Sequence, residues 1–274
     1  MKITELIRKV EGVKMSEKQI KRYIYKKNPL VEVILQLRFP KILSLNSIEP
    51  AEYQDKIRSQ FPIYQLQVEQ ENQVMIQNDG NTVIPSVVNS AANKNHNFIS
   101  DHGFWKINLT SSYISISTLK YTRWEELLEK FENPYKQFVE LYKPSFFERI
   151  GLRYVDAFNK KNLNLDNKPW KDLIKEHLLG SLSIEDESKI KSFSMNEEYR
   201  LEEENCFMRI QTGLGSVNQS KEVSFILDCD LYKLGKTMID DVEEVEKILH
   251  DNSTKFIQNA IKQELHTAME PEDL

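Results

Sequence analysis

Two stretches of the chain spell out the same succession of patterns, and this repetition limits the fold more than any other feature. The succession is strand, helix, about three strands, then a long helix. Residues 30–39 (LVEVILQLRF) are rich in β-branched residues and nearly alternating, with Val31, Val33, Leu35 and Leu37 on one side, which predicts a strand. A helix is expected over 47–60 and strands over 64–77, 97–109 and 113–121, where Ile114-Ser115-Ile116-Ser117 alternates cleanly. The intervening 78–96 is rich in Asn, Ser and Gly and reads as a long loop. A helix fits 124–142, with Trp124, Leu127, Leu128, Phe131, Tyr135, Phe138, Val139 and Tyr142 at helical spacing and a core role for its aromatic stripe. Pro134 is expected to kink or divide it, and Pro144 to end it. The second stretch predicts a strand over 146–158, a helix over 169–179, strands over 189–201, 206–212 and 222–231, and a final helix over 242–268.

Some residues also match between the stretches. Leu37-Arg38-Phe39 corresponds to Leu152-Arg153-Tyr154, and Thr118-Leu119-Lys120-Tyr121 to Asp230-Leu231-Tyr232-Lys233. A strand-helix-strands-helix unit puts both helices on one face of an antiparallel sheet. The expectation is therefore an α+β protein of two similar β-α-β(3-4)-α halves, 28–144 and 145–274, preceded by a basic helical extension, 1–27. The arrangement resembles the TATA-binding-protein-like fold or a helix-grip fold. In the extension, Ile3, Leu6, Ile7, Val10 and Val13 form one helical stripe, and Ser16 with Gln19 caps a second helix carrying Ile20, Tyr23 and Ile24. Asn28-Pro29 stops any helix.

Three segments, taken in order, are similar to a sporadically distributed family of uncharacterised bacterial and archaeal proteins. They are Asn28-Pro29-Leu30-Val31-Glu32-Val33 running to Leu37-Arg38-Phe39, then Arg149-Ile150-Gly151-Leu152-Arg153-Tyr154-Val155, then Leu227-Asp228-Cys229-Asp230-Leu231-Tyr232. The resemblance spans about residues 26–270, and the central segment is its most specific part. Leu30 replaces the family's usual second proline, and Asp156 stands where the family more often has Asn. The resemblance implies no established activity. A sporadic distribution implies accessory genes, such as phage-defence loci.

Charge divides the chain unevenly. Lys and Arg total 37 against 42 Asp and Glu, a net of −5. Residues 1–27 hold nine basic and three acidic residues, so this short segment is strongly basic and the body strongly acidic. With 40% hydrophobic and 10% aromatic residues, a disordered chain is excluded. No apolar run approaches the ~18 residues of a membrane helix, so no membrane contact is expected. The N-terminus lacks a secretory pattern and only Cys206 and Cys229 are present, which together suggest a cytoplasmic protein.

The candidate site residues fall into three sets. Arg38, Arg149 and Arg153 lie in hydrophobic strands, where a buried guanidinium needs a carboxylate, a phosphate or carbonyls. They suggest a salt-bridge network with Asp228 and Asp230, or an anion-binding surface. Lys21, Arg22, Lys26 and Lys27, with Lys14 and Lys18, suggest contact with nucleic acid, an acidic protein partner, or the chain's own acidic body. Asp228 and Asp230 form a DxD pair open to a metal reading, with Glu32, Glu148 or Asp156 as a third carboxylate. His96 and His102 are expected as exposed loop histidines near Asp101, and both cysteines as small buried hydrophobes.

No zinc spacing, nucleophile elbow, P-loop or dinucleotide fingerprint occurs, so no cofactor is expected. The favoured expectation is a non-enzymatic binding or regulatory protein whose partner is a protein or nucleic acid. The alternatives are a metal-dependent phosphodiesterase or nucleotidyltransferase on Asp228 and Asp230, and a small anion or nucleotide sensor with a pocket between sheet and long helix. Oligomeric state is left open.

Overall fold

The computed structural model describes residues 21–69, 72–78, 83–89, 93–184, 186–217 and 222–274. The chain begins with a short strand β1 (Tyr23–Tyr25), then β2 (Leu30–Arg38), helices α1 (Ser44–Ser47) and α2 (Ala51–Ile57), and strands β3 (Ile63–Glu69), β4 (Asn72–Asn78), β5 (Val83–Asn89), β6 (Asn93–Ile99), β7 (Trp105–Leu109) and β8 (Tyr113–Thr118). Helix α3 (Trp124–Tyr142) leads to β9 (Phe147–Phe158) and a short α4 (Trp170–Leu173). Strands β10 (Ser194–Arg200), β11 (Cys206–Gly215) and β12 (Ser224–Thr237) follow, then α5 (Val242–Ala260), α6 (Gln263–Ala268) and β13 (Pro271–Asp273).

The fold is mixed α+β, and a single nine-stranded antiparallel sheet takes strands from both halves. Its strand order is β10-β11-β12-β9-β2-β8-β7-β6-β3. The first strands of the two halves, β2 and β9, meet at the centre with Leu35 opposite Leu152 and Leu37 opposite Ile150. Outward from this seam the order is β2-β8-β7-β6 on one side and β9-β12-β11-β10 on the other. The halves share this strand order but differ in detail. The first adds β3 and a separate β4–β5 ribbon, whereas the second has α4 and three single 3-10 turns where the first has α1 and α2.

Alternation sorts the sheet into two faces. Val33, Leu35 and Leu37 of β2, Ile114 and Ile116 of β8, Ile150 and Leu152 of β9, and Leu227 and Leu231 of β12 are all buried in one core, together with the apolar stripes of α3 and α5. The opposite face carries Gln36, Arg149, Arg153, Asp228 and Asp230, and toward β6 the buried amides of Asn95, Asn97 and Asn108. Asn108 donates to the side-chain oxygens of Asn95, at 2.8 Å, and Asn97.

Several expected boundaries are corrected. The helix expected over 47–60 is split into α1 and α2 at Pro50. Helix α3, by contrast, runs unbroken through Pro134. Burial of Trp124, Leu127, Phe131, Pro134 and Phe138 offsets the missing backbone donor. Lys143 then takes a left-handed conformation at φ 46° and Pro144 follows, a common way to end a helix. The expected loop 78–96 contains β5 and the start of β6. Pro85 fits in β5 because each strand of a two-stranded ribbon has a free edge.

The strands expected over 64–77 and 97–109 are each two strands joined by a short connection. Helix 169–179 shrinks to α4 and a 3-10 turn, Glu176–Leu178. The final helix breaks at Ile261, which bridges to Ile174, while Lys262 N–H donates to the Leu173 carbonyl. Tyr23 and Ile24 lie in β1, paired with β13, and not on a helix. The helical expectations for 2–20 lie outside the described residues.

Phe138 is fully buried, its ring centroid 4.8 Å from that of Phe39. Phe138→Ala is therefore expected to lower the unfolding free energy by about 3–5 kcal/mol, read as a lower urea midpoint at unchanged slope.

Candidate functional site

The residues singled out in the sequence lie in three places. The first is the open face of the sheet. Arg149 donates from Nη2 to both oxygens of Asp230, at 2.9 and 2.8 Å, and from Nη1 to Gln36 Oε1 at 3.4 Å. Its guanidinium also lies over the Tyr232 ring, 4.7 Å from the centroid. Arg153 grips Asp228 through Nε and Nη2, at 2.8 and 2.5 Å. Its hydrogen bond to Asp228 raises the Arg153 pKa further. Burial raises the Asp230 pKa despite the opposing pull of Arg149. Tyr232 and Arg209 both donate to Glu198, which extends the polar ladder to β10.

Each arginine of β9 thus reaches diagonally to an aspartate of β12. Glycine at position 151 leaves room for the Arg149 guanidinium in its observed place, since a Cβ there would fall on it. Arg38 sits at the exposed end of β2 opposite Arg149 in register, and no ion pair to it occurs among the described residues.

Both carboxylates of the DxD pair are occupied by arginine, and no group of three or more His, Cys, Asp or Glu able to hold a metal occurs among the described residues. The proposed third ligands do not join the pair in one site. Glu148 is exposed, Glu32 adds its charge to the field at Arg153, and Asp156 points from the opposite face of the sheet.

The second place is a strap made of β1 and β13. Tyr23, Ile24 and Tyr25 pair with Asp273, Glu272 and Pro271. The cations around β1 all find acids in the body of the chain. Lys21 meets Asp273 at 2.9 Å, Lys26 meets Glu272 at 3.0 Å, and Lys27 meets Glu270 at 2.9 Å. Arg22 makes a two-pronged pair with Glu125, at 2.7 and 3.1 Å, which holds that carboxyl down to about 2. Lys14 and Lys18 lie outside the described residues.

The histidines divide between surface and core. His102 is exposed beside Asp101 at 3.6 Å. His96 corrects the expectation of a loop histidine, because it is fully buried in β6. Its Nε2 lies 3.0 Å from the Leu45 carbonyl and its Nδ1 2.9 Å from the Tyr64 hydroxyl, and burial lowers its pKa. Both cysteines are buried, Cys206 in β11 and Cys229 in β12, and burial pushes both thiols up.

The third place is a pocket between sheet and long helix, a location the sensor alternative named without assigning residues to it. A cavity of about 120 Å³ lies between the core face of β9 and β12 and helix α5, with the strap over it. Asp156 lines it. On β9, Ile150, Leu152, Tyr154, Asp156 and Phe158 share the inward face, so a carboxyl occupies a position that the strand pattern reserves for apolar groups. It sits opposite Leu227 on one side and Leu30 on the other, where the β2 register shifts between Leu30 and Glu32. Bulges of this kind recur beside binding sites, because they re-aim the strand.

Asp156 is 5% exposed, and no hydrogen-bond donor to its carboxyl occurs among the described residues. Burial, and next the charge of Asp228, pushes its pKa up to about 7. His250 of α5 lines the same cavity. It stacks on Trp124 at 4.6 Å, and its Nδ1 is 3.1 Å from the Tyr154 hydroxyl. Its Nε2 has no partner among the described residues, and burial pushes its pKa down to about 4. The signal that could have found this site is parity. Counting by twos from Leu152 puts Asp156 in the core and apart from Asp228 and Asp230.

Comparison with known proteins adds no assignment. No protein-family model matches the chain, and no curated protein is similar to it in sequence.

Two expected outcomes follow from this geometry. Gly151→Ala displaces the Arg149 guanidinium and costs on the order of 1–3 kcal/mol by urea denaturation. Adding Asp230→Asn to that variant costs little more, because the interaction is already lost. For Asp156, the unfolded carboxyl titrates near 3.8 and the folded one near 7, so the native state binds the extra proton between these values. Its contribution to stability is full at low pH and is lost as pH rises through about 7. Asp156→Asn is therefore expected to flatten the stability–pH curve between about pH 4 and 7. It should also exceed the parent above pH 7 by on the order of a few kcal/mol, measured by denaturation at each pH.

Proposed function

We propose that this chain is a binding protein for a small molecule that occupies the cavity between the sheet and α5. The observation that carries the reading is the cavity together with a buried, unpartnered carboxyl aimed into it. Native proteins rarely leave such a group unsatisfied unless a ligand, ion or water completes it. The aromatic lining from Tyr25, Tyr121, Trp124 and Tyr154 suits a compact ligand. At about 120 Å³ the space is near that of a cavity that admits benzene. A carboxyl at its wall also disfavours an anion.

Binding accounts for the site better than catalysis. The nearest thiol, Cys229, is held protonated by burial, which makes it a poor nucleophile. The reading of a protein or nucleic-acid contact through the basic segment draws less support, because Lys21, Arg22, Lys26 and Lys27 are all engaged with acids of the same chain.

The test is a thermal-shift screen of compounds with up to about ten heavy atoms, run on the parent and on Ser253→Leu, which fills the cavity from α5. A ligand of this site raises the Tm of the parent and not of Ser253→Leu. Equal shifts in both proteins, or no shift with any compound, would overturn the proposal.

A further inference from the structure

Taking the cavity to be a ligand site, we infer that its ligand is a small organic ammonium ion, with Asp156 as counter-ion and aromatic side chains prominent among the remaining walls. The argument begins with a balance of charge. Asp156 is the one acidic side chain lining the cavity among the described residues. Of the two arginines in the lining, Arg22 is committed to Glu125 through two hydrogen bonds. Arg123 at the rim is exposed to solvent, and His250 is held neutral by its burial. The cavity therefore presents one carboxyl with no paired cation among the described residues. An anion would be repelled. A cation would supply both the missing charge and the missing hydrogen-bond donors, and charge-assisted pairs are the strong ones in a buried site.

The walls point the same way. Tyr25, Tyr121, Trp124, Tyr154, Phe158 and Phe256 surround the space. Aromatic faces carry negative electrostatic potential and attract ammonium groups, most strongly when desolvated. Trp124 is held in place by its parallel stack on His250, with an interplanar angle of 6°. Tyr121 and Tyr154 meet edge to face at 5.8 Å. Such rings lose little freedom on binding, since packing already fixes them. At about 120 Å³ the space accommodates a group of roughly the size of a benzene ring.

A neutral ligand with a hydroxyl donor competes with this inference, and matched pairs separate the two. Benzylamine against benzyl alcohol, cyclohexylamine against cyclohexanol, and isobutylamine against isobutyl alcohol differ in charge and little in shape. They would be titrated into the full chain at pH 7.5 by calorimetry, with benzoate as the anionic control. The expected result is that at least one amine binds about tenfold or more tightly than its alcohol. That preference should disappear in Asp156→Asn while alcohol binding is retained. If alcohols bind as well as amines, or benzoate binds best, the ammonium assignment is wrong and the cavity remains a ligand site. If no probe binds and the broader screen also fails, both readings fall. The parent comparison does not depend on any variant folding.

Discussion

The antiparallel pairing of β2 with β9 is the constraint on which the rest of the structure depends. It joins the two halves into one sheet and fixes the parity of the central strands. A strand has a period of two, so a slip of one residue would exchange its faces. With Leu35 opposite Leu152, the aliphatic side chains enter the core, while Arg149 and Arg153 emerge on the other side beside Asp228 and Asp230. The same register sends Asp156 inward. One pairing thus produces both the satisfied ionic ladder and the unsatisfied carboxyl behind it.

The two groups differ in energy because they differ in partners. The guanidinium–carboxylate pairs are partly buried, and each is closed by two directed hydrogen bonds. Their role as internal ties follows from that geometry. Asp156 has burial without compensation, and carboxyls perturbed in this way cluster at functional sites. Glu246 of α5, also buried and pushed up to about 8 chiefly by burial, shows that this chain tolerates a second such group among its core helices.

Much of the architecture was legible in the sequence. The strands β2 and β9 and helix α3 carry strong periodicity and appear within a residue of their expected bounds, while β8 begins where expected and ends three residues early. The pairing of arginines with the two aspartates was also an expected arrangement. What was not legible depended on contacts distant in sequence. The end of α5 is set by a bridge from Ile261 to Ile174, and β1 exists because β13 lies beside it. His96 looked like a loop residue because Asn, Ser and Gly surround it in sequence, whereas its partners Leu45 and Tyr64 come from other elements. Asp156 was legible by parity, but its grouping with Asp228 by charge obscured which face it occupies.

The strap over the cavity joins residues 21–27 to residues 269–274, nearly the full length of the chain apart in sequence. Its strands are three residues each, and a two-stranded pairing of that length is marginal in water. The ion pairs that reinforce it are exposed, with 57–67% of the side-chain surface open for the Lys21–Asp273 and Lys26–Glu272 pairs. Exposed pairs contribute little and weaken as salt screens them. The apolar walls of the cavity respond to salt in the opposite sense or hardly at all. Ionic strength therefore acts on the strap side of the cavity more than on the sheet and helix behind it, which makes the hold of this one segment separable from the stability of the fold beneath it.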